Sequence, residues 1–408
     1  MIYPLLLWSA LALLAALLLL TGTIVVVDAR RRRSRPRGPF PYVYPAPLKI
    51  GDSEVQLYTY GEDLYGAMLQ AIKQARKRIV FETFIWKGDT IGQRFKQELQ
   101  NAAARGVDVY IIFDGFANLV VPRRFKRFAP SPNLHVLRYP LLGWLWHPLH
   151  LRSYARDHRK ILVVDGQIAF VGGYNIGTRY ATEWRDTHVR ITGPAAWEVE
   201  NVFIDFWNMH RGRHLPELAD LGTRDWDPRI VINRNDPQLM IFPIRATYLE
   251  AIDRAQHHIY LTHAYFIPDR TILRGLLNAA PRGVDVCILI PESSNHPLAD
   301  WLARGYYRQC LESGVRLLLY QNAMVHAKTA TIDGVWSTVG TANLDRLSLV
   351  GNFEVNVEFY DELLAKQMEA IFLNDASNTR ELTLEEWQRR PLRERFAETM
   401  LLPLRPLL

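Results

Sequence analysis

Only two cysteines, Cys287 and Cys310, occur among the 408 residues, so no disulfide framework holds this chain together. Both read as small core or helix-face residues. No His, Cys, Asp or Glu residues gather at metal-ligand spacing, so neither a metal centre nor any other cofactor is expected. Positive charge is also scarcer than its total suggests. The formal net charge is +7, but six arginines between positions 30 and 37 carry nearly all of it; removing those six from 49 Lys and Arg leaves 43 against 42 Asp and Glu. In a body that close to neutral no basic stripe is evident; a nucleic-acid groove would have to be local, and nucleic acid is not an expected partner. The hydrophobic and charged fractions are near the globular average, and the chain is long enough for two ordinary cores.

One long apolar run is present. From Pro4 to Val27 the chain is uncharged and dominated by Leu, Ala and Val, and 24 residues at ~1.5 Å each span a bilayer core of about 30 Å. A cleaved signal peptide would carry positive charge before such a run and a small-residue cleavage site after it. Here the arginines follow the run. The expectation is an uncleaved transmembrane helix, single-pass in the cell membrane, with the rest of the chain on the cytoplasmic side.

The feature that carries chemistry is a repeat. His158, Lys160, Asp165, Val171, Gly172, Asn175 and Asp186 recur as His326, Lys328, Asp333, Val339, Gly340, Asn343 and Glu354, each pair offset by 168 positions. A lone His beside a Lys would read as a solvated strand end, but duplication in register reverses that weighting. Each copy continues into an apolar, β-branched strand closed by Asp-Gly, then a second short strand, so a hairpin is predicted over 161–171 and over 329–339. In a strand, residues two apart project from one face, which places imidazole and ammonium side by side.

That pairing suits a phosphodiester. Lysine supplies charge and donors for phosphate oxygens, a neutral imidazole can attack phosphorus, and an imidazolium can protonate a leaving oxygen. Two copies together supply a nucleophile, an acid, two lysines and two amides, a complete set for a two-step displacement.

These residues resemble the phospholipase D superfamily, whose signature HxKxxxxD followed by GxxN is present twice in two-domain members. Phe81 to Trp86, Ala264 to Pro268 and Gly340 to Ser348 make the chain most similar to bacterial cardiolipin synthases, and the likeness covers roughly positions 50 to 375. The resemblance implies that His158 becomes phosphorylated while His326 acts as acid and then base. It implies that Lys160, Lys328, Asn175 and Asn343 hold the phosphate. Asp186 and Glu354 would accept from the far ring nitrogen of each His, fixing its tautomer. Asp165 and Asp333 belong to the catalytic motif, yet their place in turns after apolar strands reads as structural. Thr341 stands where the first copy has Gly173, a departure from the glycine pattern that touches no catalytic group.

The implied activity is phosphatidyl transfer from phosphatidylglycerol or a related phospholipid, through a phosphohistidine and without metal, to a lipid hydroxyl. Hydrolysis to phosphatidic acid, a membrane-tethered nuclease and a silent lipid-binding scaffold are the competing readings, the last disfavoured by two intact motifs.

The implied fold is α/β: two αβα sandwich domains forming a pseudo-twofold pair after the transmembrane helix. Helix, strand, helix, strand is predicted over 64–76, 79–86, 93–104 and 107–113, and again over 248–256, 259–267, 272–280 and 284–290. The joint Arg105-Gly106-Val107-Asp108-Val109 is echoed by Arg282-Gly283-Val284-Asp285-Val286. The divisions expected are an anchor (1–29), a basic juxtamembrane linker (30–48), a first domain (49–212), a second (213–380) and an amphipathic tail (381–408), with a polar joint from His210 to Pro228. The apolar run from Leu141 to Leu151 reads either as a lip that dips into lipid or as buried between the halves. The Leu-rich tail reads as interfacial or as a plain capping helix.

Overall fold

The architecture comes from a computed structural model that describes residues 38–140, 154–219 and 226–401, with isolated positions elsewhere. Among the described residues no helix is long and apolar enough to cross a membrane; more than half of the expected anchor falls outside them, as does all of the 141–151 segment.

The first half contributes β1 (Leu48–Ile50), β2 (Ser53–Tyr58), β3 (Arg78–Thr83), β4 (Asp108–Asp114), β5 (Leu134–Tyr139), β6 (Ile161–Val164), β7 (Ile168–Gly172), β8 (Trp184–Arg185) and β9 (His188–Thr192). The second contributes β10 (Ile230–Asn235), β11 (His258–His263), β12 (Phe266–Ile267), β13 (Asp285–Pro291), β14 (Arg316–Tyr320), β15 (Met324–Val325), β16 (Lys328–Ile332), β17 (Trp336–Gly340), β18 (Leu344–Asp345), β19 (Glu354–Phe359) and β20 (Thr379–Leu382). Two eight-stranded sheets result, in the orders β1-β2-β9-β7-β6-β3-β4-β5 and β10-β19-β17-β16-β11-β13-β14-β20. Seven consecutive places agree between them, so the repeat extends to all but one edge strand of each sheet. The sheets are mixed: β3, β4 and β5 run parallel, while β6 is antiparallel to both β3 and β7.

Strand alternation sets the layers. Ile79, Phe81, Leu162 and Val164 pack with Leu64, Leu69, Phe95 and Leu99 of helices Gly61–Gln74 and Thr90–Ala104. Val80, Ile161 and Val163 face the other way, onto Phe203, Phe206 and Trp207 of helix Ala196–His210. Each large apolar side chain so buried stabilises the fold by about 1.5–3 kcal/mol. That second cluster also takes in Val339, Phe353, Val355 and Phe359 from the other half, so a single core joins the halves.

Local signals explain the element ends. Asp89 caps one helix through Gly92 N–H at 3.0 Å, and Asp269 caps its counterpart through Thr271 and Ile272 at 2.8 and 3.0 Å. Both repeated Arg-Gly joints place the glycine at positive φ, 91° at Gly106 and 93° at Gly283.

Three boundaries differ from the sequence expectation. Residues 38–47 are no free linker: Phe40 is buried beside Tyr320 and Phe372 of the second half, while Tyr42 stacks on Tyr60 of the first at 4.4 Å. The polar joint after His210 packs back onto its own helix, with Trp207 Nε1 donating to Pro216 at 2.8 Å and Leu218 buried. The described part of the tail belongs to the second half: β20 pairs with β14, Trp387 and Leu401 join the core, and Glu394 and Glu398 bind Arg304. Aromatic anchors within polar stretches decided all three, and composition averages conceal them.

Candidate active site

Each His-x-Lys segment ends a connection and starts a strand, and each is docked by backbone onto the opposite half. Asp157 bridges Phe353, with His158 N–H donating to Phe353 C=O at 3.1 Å and Phe353 N–H to Arg156 at 3.0 Å. Reciprocally, β15 pairs with β8, and His326 N–H donates to Arg185 C=O at 2.6 Å. Phe353 and Arg185 immediately precede Glu354 and Asp186. The carboxylates are therefore exchanged: His158 Nδ1 lies 2.9 Å from both oxygens of Glu354, and His326 Nδ1 lies 2.6 Å from Asp186 Oδ2. With Nδ1 engaged, Nε2 is the ring atom left for chemistry.

Glu354 is fully buried and takes a further hydrogen bond at 2.5 Å from Thr341 Oγ1. In the first half a side chain has no room at the equivalent place, because a Cβ on Gly173 would stand 2.1 Å from Asp186 Oδ1. The glycine departure thus supports the longer carboxylate. Lys160 and Lys328 are buried and turn back onto the carbonyls of His158 and His326. Lys328 Nζ also sits 2.9 Å from His326 Nδ1, where it competes with Asp186 for that nitrogen; the carboxylate contact is the shorter.

His158, His326, Asn175 and Asn343 line one cavity of about 410 Å³, with Phe84, Phe116, Arg156, Trp184, Tyr265, His296 and Leu347 on its walls. A slightly larger groove, of about 450 Å³, lies by Asp333 and Trp336 and holds neither histidine. Phe84 meets the His158 ring at 4.7 Å and Trp184 the His326 ring at 5.0 Å. Ile85 N–H occupies Asn175 Oδ1 at 3.1 Å, leaving the amide donors. Asn343 Oδ1 is buried without a partner among the described residues.

Burial governs the charges. It pushes Glu354 up to about 8 and Asp186 up to about 6, and it lowers Lys160 to about 7 and Lys328 to about 8. Burial, then the two ammonium groups, holds both imidazoles well below the usual range. A phosphodiester would bring the negative charge that relieves the repulsion.

Asp165 and Asp333 stand apart from this group. Five residues of strand put each carboxylate roughly 16 Å along the chain from its lysine. Asp165 and Gly166 have φ of 53° and 66°, Asp333 and Gly334 54° and 66°, as a primed hairpin turn requires. Asp165 accepts from Arg76, Lys77 and Arg78 N–H at 2.9, 2.7 and 2.9 Å; Asp333 accepts from Gln256, His257 and His258 at 2.7, 2.9 and 2.8 Å. Both tie a hairpin turn to the start of the neighbouring strand and carry no group toward the cavity. For Asp333, burial raises the pKa, but the three N–H donors outweigh it and hold the carboxyl below its usual range.

Sequence reasoning gave no role to Trp184, His296 or Asp345, which reach the cavity: Asp345 lies within the Gly340–Ser348 run and Trp184 two residues before Asp186, whereas His296 comes from a segment without a motif. Nor did it find the buried Arg159, held by Glu82 and Asp157 and stacked over Phe206 at 4.1 Å. Its only signal was an arginine between two motif residues.

The family described as cardiolipin synthase, PLD-like domain, matches residues 68–207 and 248–376. The chain is 32% identical over 368 residues to the major cardiolipin synthase ClsA of Bacillus subtilis, covering 88% of this chain and 76% of that one. It is 33% identical over 376 residues to a cardiolipin synthase of Staphylococcus aureus, covering 88% and 74%. In fold it is similar to phosphatidylserine synthase of Haemophilus influenzae, with a TM-score of 0.66 over 88% of this chain and 94% of that one, at 14% identity.

Proposed function

The chain belongs to the family of cardiolipin synthases with phospholipase D-like domains, and we propose that it transfers a phosphatidyl group from phosphatidylglycerol to the hydroxyl of a second lipid. The observation that carries this reading is one cavity with two imidazoles, each backed by a buried carboxylate of the opposite half.

In the first step His158 Nε2 attacks phosphorus as the bond to the glycerol oxygen breaks. His326, protonated, gives that oxygen its proton, and glycerol leaves a phosphatidyl-histidine behind. In the second step the hydroxyl of an acceptor phosphatidylglycerol loses its proton to His326 while its oxygen attacks phosphorus and His158 departs. Lys160, Lys328, Asn175 and Asn343 hold the phosphate oxygens throughout. Glu354 stabilises the charge that develops on His158, and Asp186 that on His326.

Purified protein incubated with labelled phosphatidylglycerol is expected to yield cardiolipin and free glycerol. Phosphatidic acid as sole product would make the chain a hydrolase, and inert lipid beside cleaved DNA would overturn both lipid readings. The reading extends to the membrane: residues 4–27 form a single-pass anchor with the arginines and catalytic body on the cytoplasmic side. Deleting residues 1–29 is expected to release the protein from membranes while activity on detergent-dispersed lipid persists. A deleted protein that still sediments with membranes after a high-salt wash would remove the anchor.

A further inference from the structure

The neutral average of the body conceals a local asymmetry. From Gly115 through Arg156 the chain carries seven Arg or Lys and not one Asp or Glu, so the remainder of the body is net acidic. At the start of this stretch, directly after β4, a turn exposes Phe116, Leu119 and Val120 to 54, 50 and 82%. The turn is held from below. Asn118 is wholly buried, donates to Phe84 and Asp114 carbonyls at 2.7 and 2.8 Å, and accepts from Trp86 N–H at 2.8 Å. Asp114 accepts from Phe116 and Ala117 N–H, both at 2.8 Å. Three apolar side chains are thus displayed on a braced backbone, and bracing removes the entropy cost of ordering them on contact.

Exposed arginines follow at once. Arg123, Arg124 and Arg127 lie outward, and Lys126, whose ammonium caps the turn at Asn118 C=O (2.7 Å), has its pKa lowered by burial and then by the positive charge of Arg138 and Arg123. The patch is also continuous with the catalytic cavity, because the exposed Phe116 lines that cavity together with Arg156 and with Leu347, 41% exposed.

We propose that the turn at 115–121 and the arginines at 123, 124 and 127 form a docking surface for an anionic phospholipid membrane, seating the cavity mouth on the leaflet that holds the substrate. The proposal rests on the lipid reading given above and deepens it. Apolar tips would enter the acyl boundary while the guanidinium groups meet phosphate head groups. A nucleic acid would use the arginines but leave Leu119 and Val120 in water.

Both native cysteines are buried, so Val120→Cys in the full chain can be labelled selectively with a polarity-sensitive dye. On vesicles of phosphatidylglycerol and phosphatidylcholine the dye should shift to the blue, with little shift on phosphatidylcholine alone and none for a Val335→Cys control. Combined Arg123→Gln, Arg124→Gln and Arg127→Gln should raise the apparent KM for vesicle phosphatidylglycerol about tenfold. Turnover of a monomeric short-chain phosphatidylglycerol should stay unchanged. A dye that reports water on both vesicle types, or that responds to DNA instead, overturns the docking surface. Absence of turnover by the unaltered protein on both vesicle and short-chain phosphatidylglycerol overturns the functional reading and leaves the dye result to judge the surface alone.

Discussion

Behind His158 stands a glutamate that presents both oxygens at 2.9 Å and is steadied by the Thr341 hydroxyl; behind His326 stands an aspartate that presents one oxygen at 2.6 Å, with a lysine against the same nitrogen. The main-sheet strands around the two rings follow the same order, although β8 and β15 form a short ladder where Asp157 and Phe353 make a single bridge. Their surroundings differ. Arg159, Glu82 and Asp157 form a buried cluster beside the first histidine, where the second half has Ala327, Thr262 and Val325. A duplicated scaffold has kept its register while the side chains behind each imidazole diverged, which is how one site can hold a nucleophile and an acid from a single motif.

The largest effect should separate the two rings. His158→Ala and His326→Ala are each expected to lower kcat by 10⁴-fold or more, roughly the scale of losing a nucleophile or a general acid. On a phosphodiester with a good leaving group, His326→Ala should recover in part and His158→Ala should not. Acid-labile label mapped to the peptide containing His326 would reverse the assignment.

The carboxylates come next, at roughly 10²–10⁴-fold in kcat. Because the pairs are exchanged between halves, Glu354→Gln should behave like a weak His158 variant, without leaving-group rescue. Asp186→Asn should behave like a weak His326 variant, with rescue. The opposite pattern would mean that each carboxylate serves the histidine of its own copy.

The smallest effect on rate belongs to the motif aspartates. Asp165→Ala and Asp333→Ala each remove an anionic acceptor of three backbone N–H groups, so stability should fall by about 2–4 kcal/mol. At a temperature where the variant is folded, kcat should stay within about twofold. A large loss of kcat without a fall in Tm would return these residues to the chemistry.

Much of this was legible beforehand, for reasons tied to particular residues. The Asp-Gly pairs at 165 and 333 announced their hairpins because few other dipeptides accept two positive φ angles in succession. The helices near 61–74 and 90–104 showed in their apolar spacing. Strands β2 and β10 did not show: Ser53, Glu54 and Gln56 interrupt the first, Asn233, Arg234 and Asn235 end the second, and each takes its place in a sheet by pairing with β9 or β19. Thr341 was visible as a departure, yet its use was not, because the carboxylate it supports lies thirteen residues on and turns toward a ring from the other half.

By itself the sequence determined the chemistry available: two imidazoles, two ammonium groups, two amides and two carboxylates at one repeated spacing, on strands whose period of two fixes which side chains share a face. Only the tertiary structure decided who meets whom. Strand periodicity acts within a few residues, whereas the docking of Asp157 on Phe353 and of Val325 on Arg185 joins segments far apart in the chain through backbone groups that every sequence possesses. That docking gives each histidine the other half's carboxylate, and it makes one cavity from two incomplete sets.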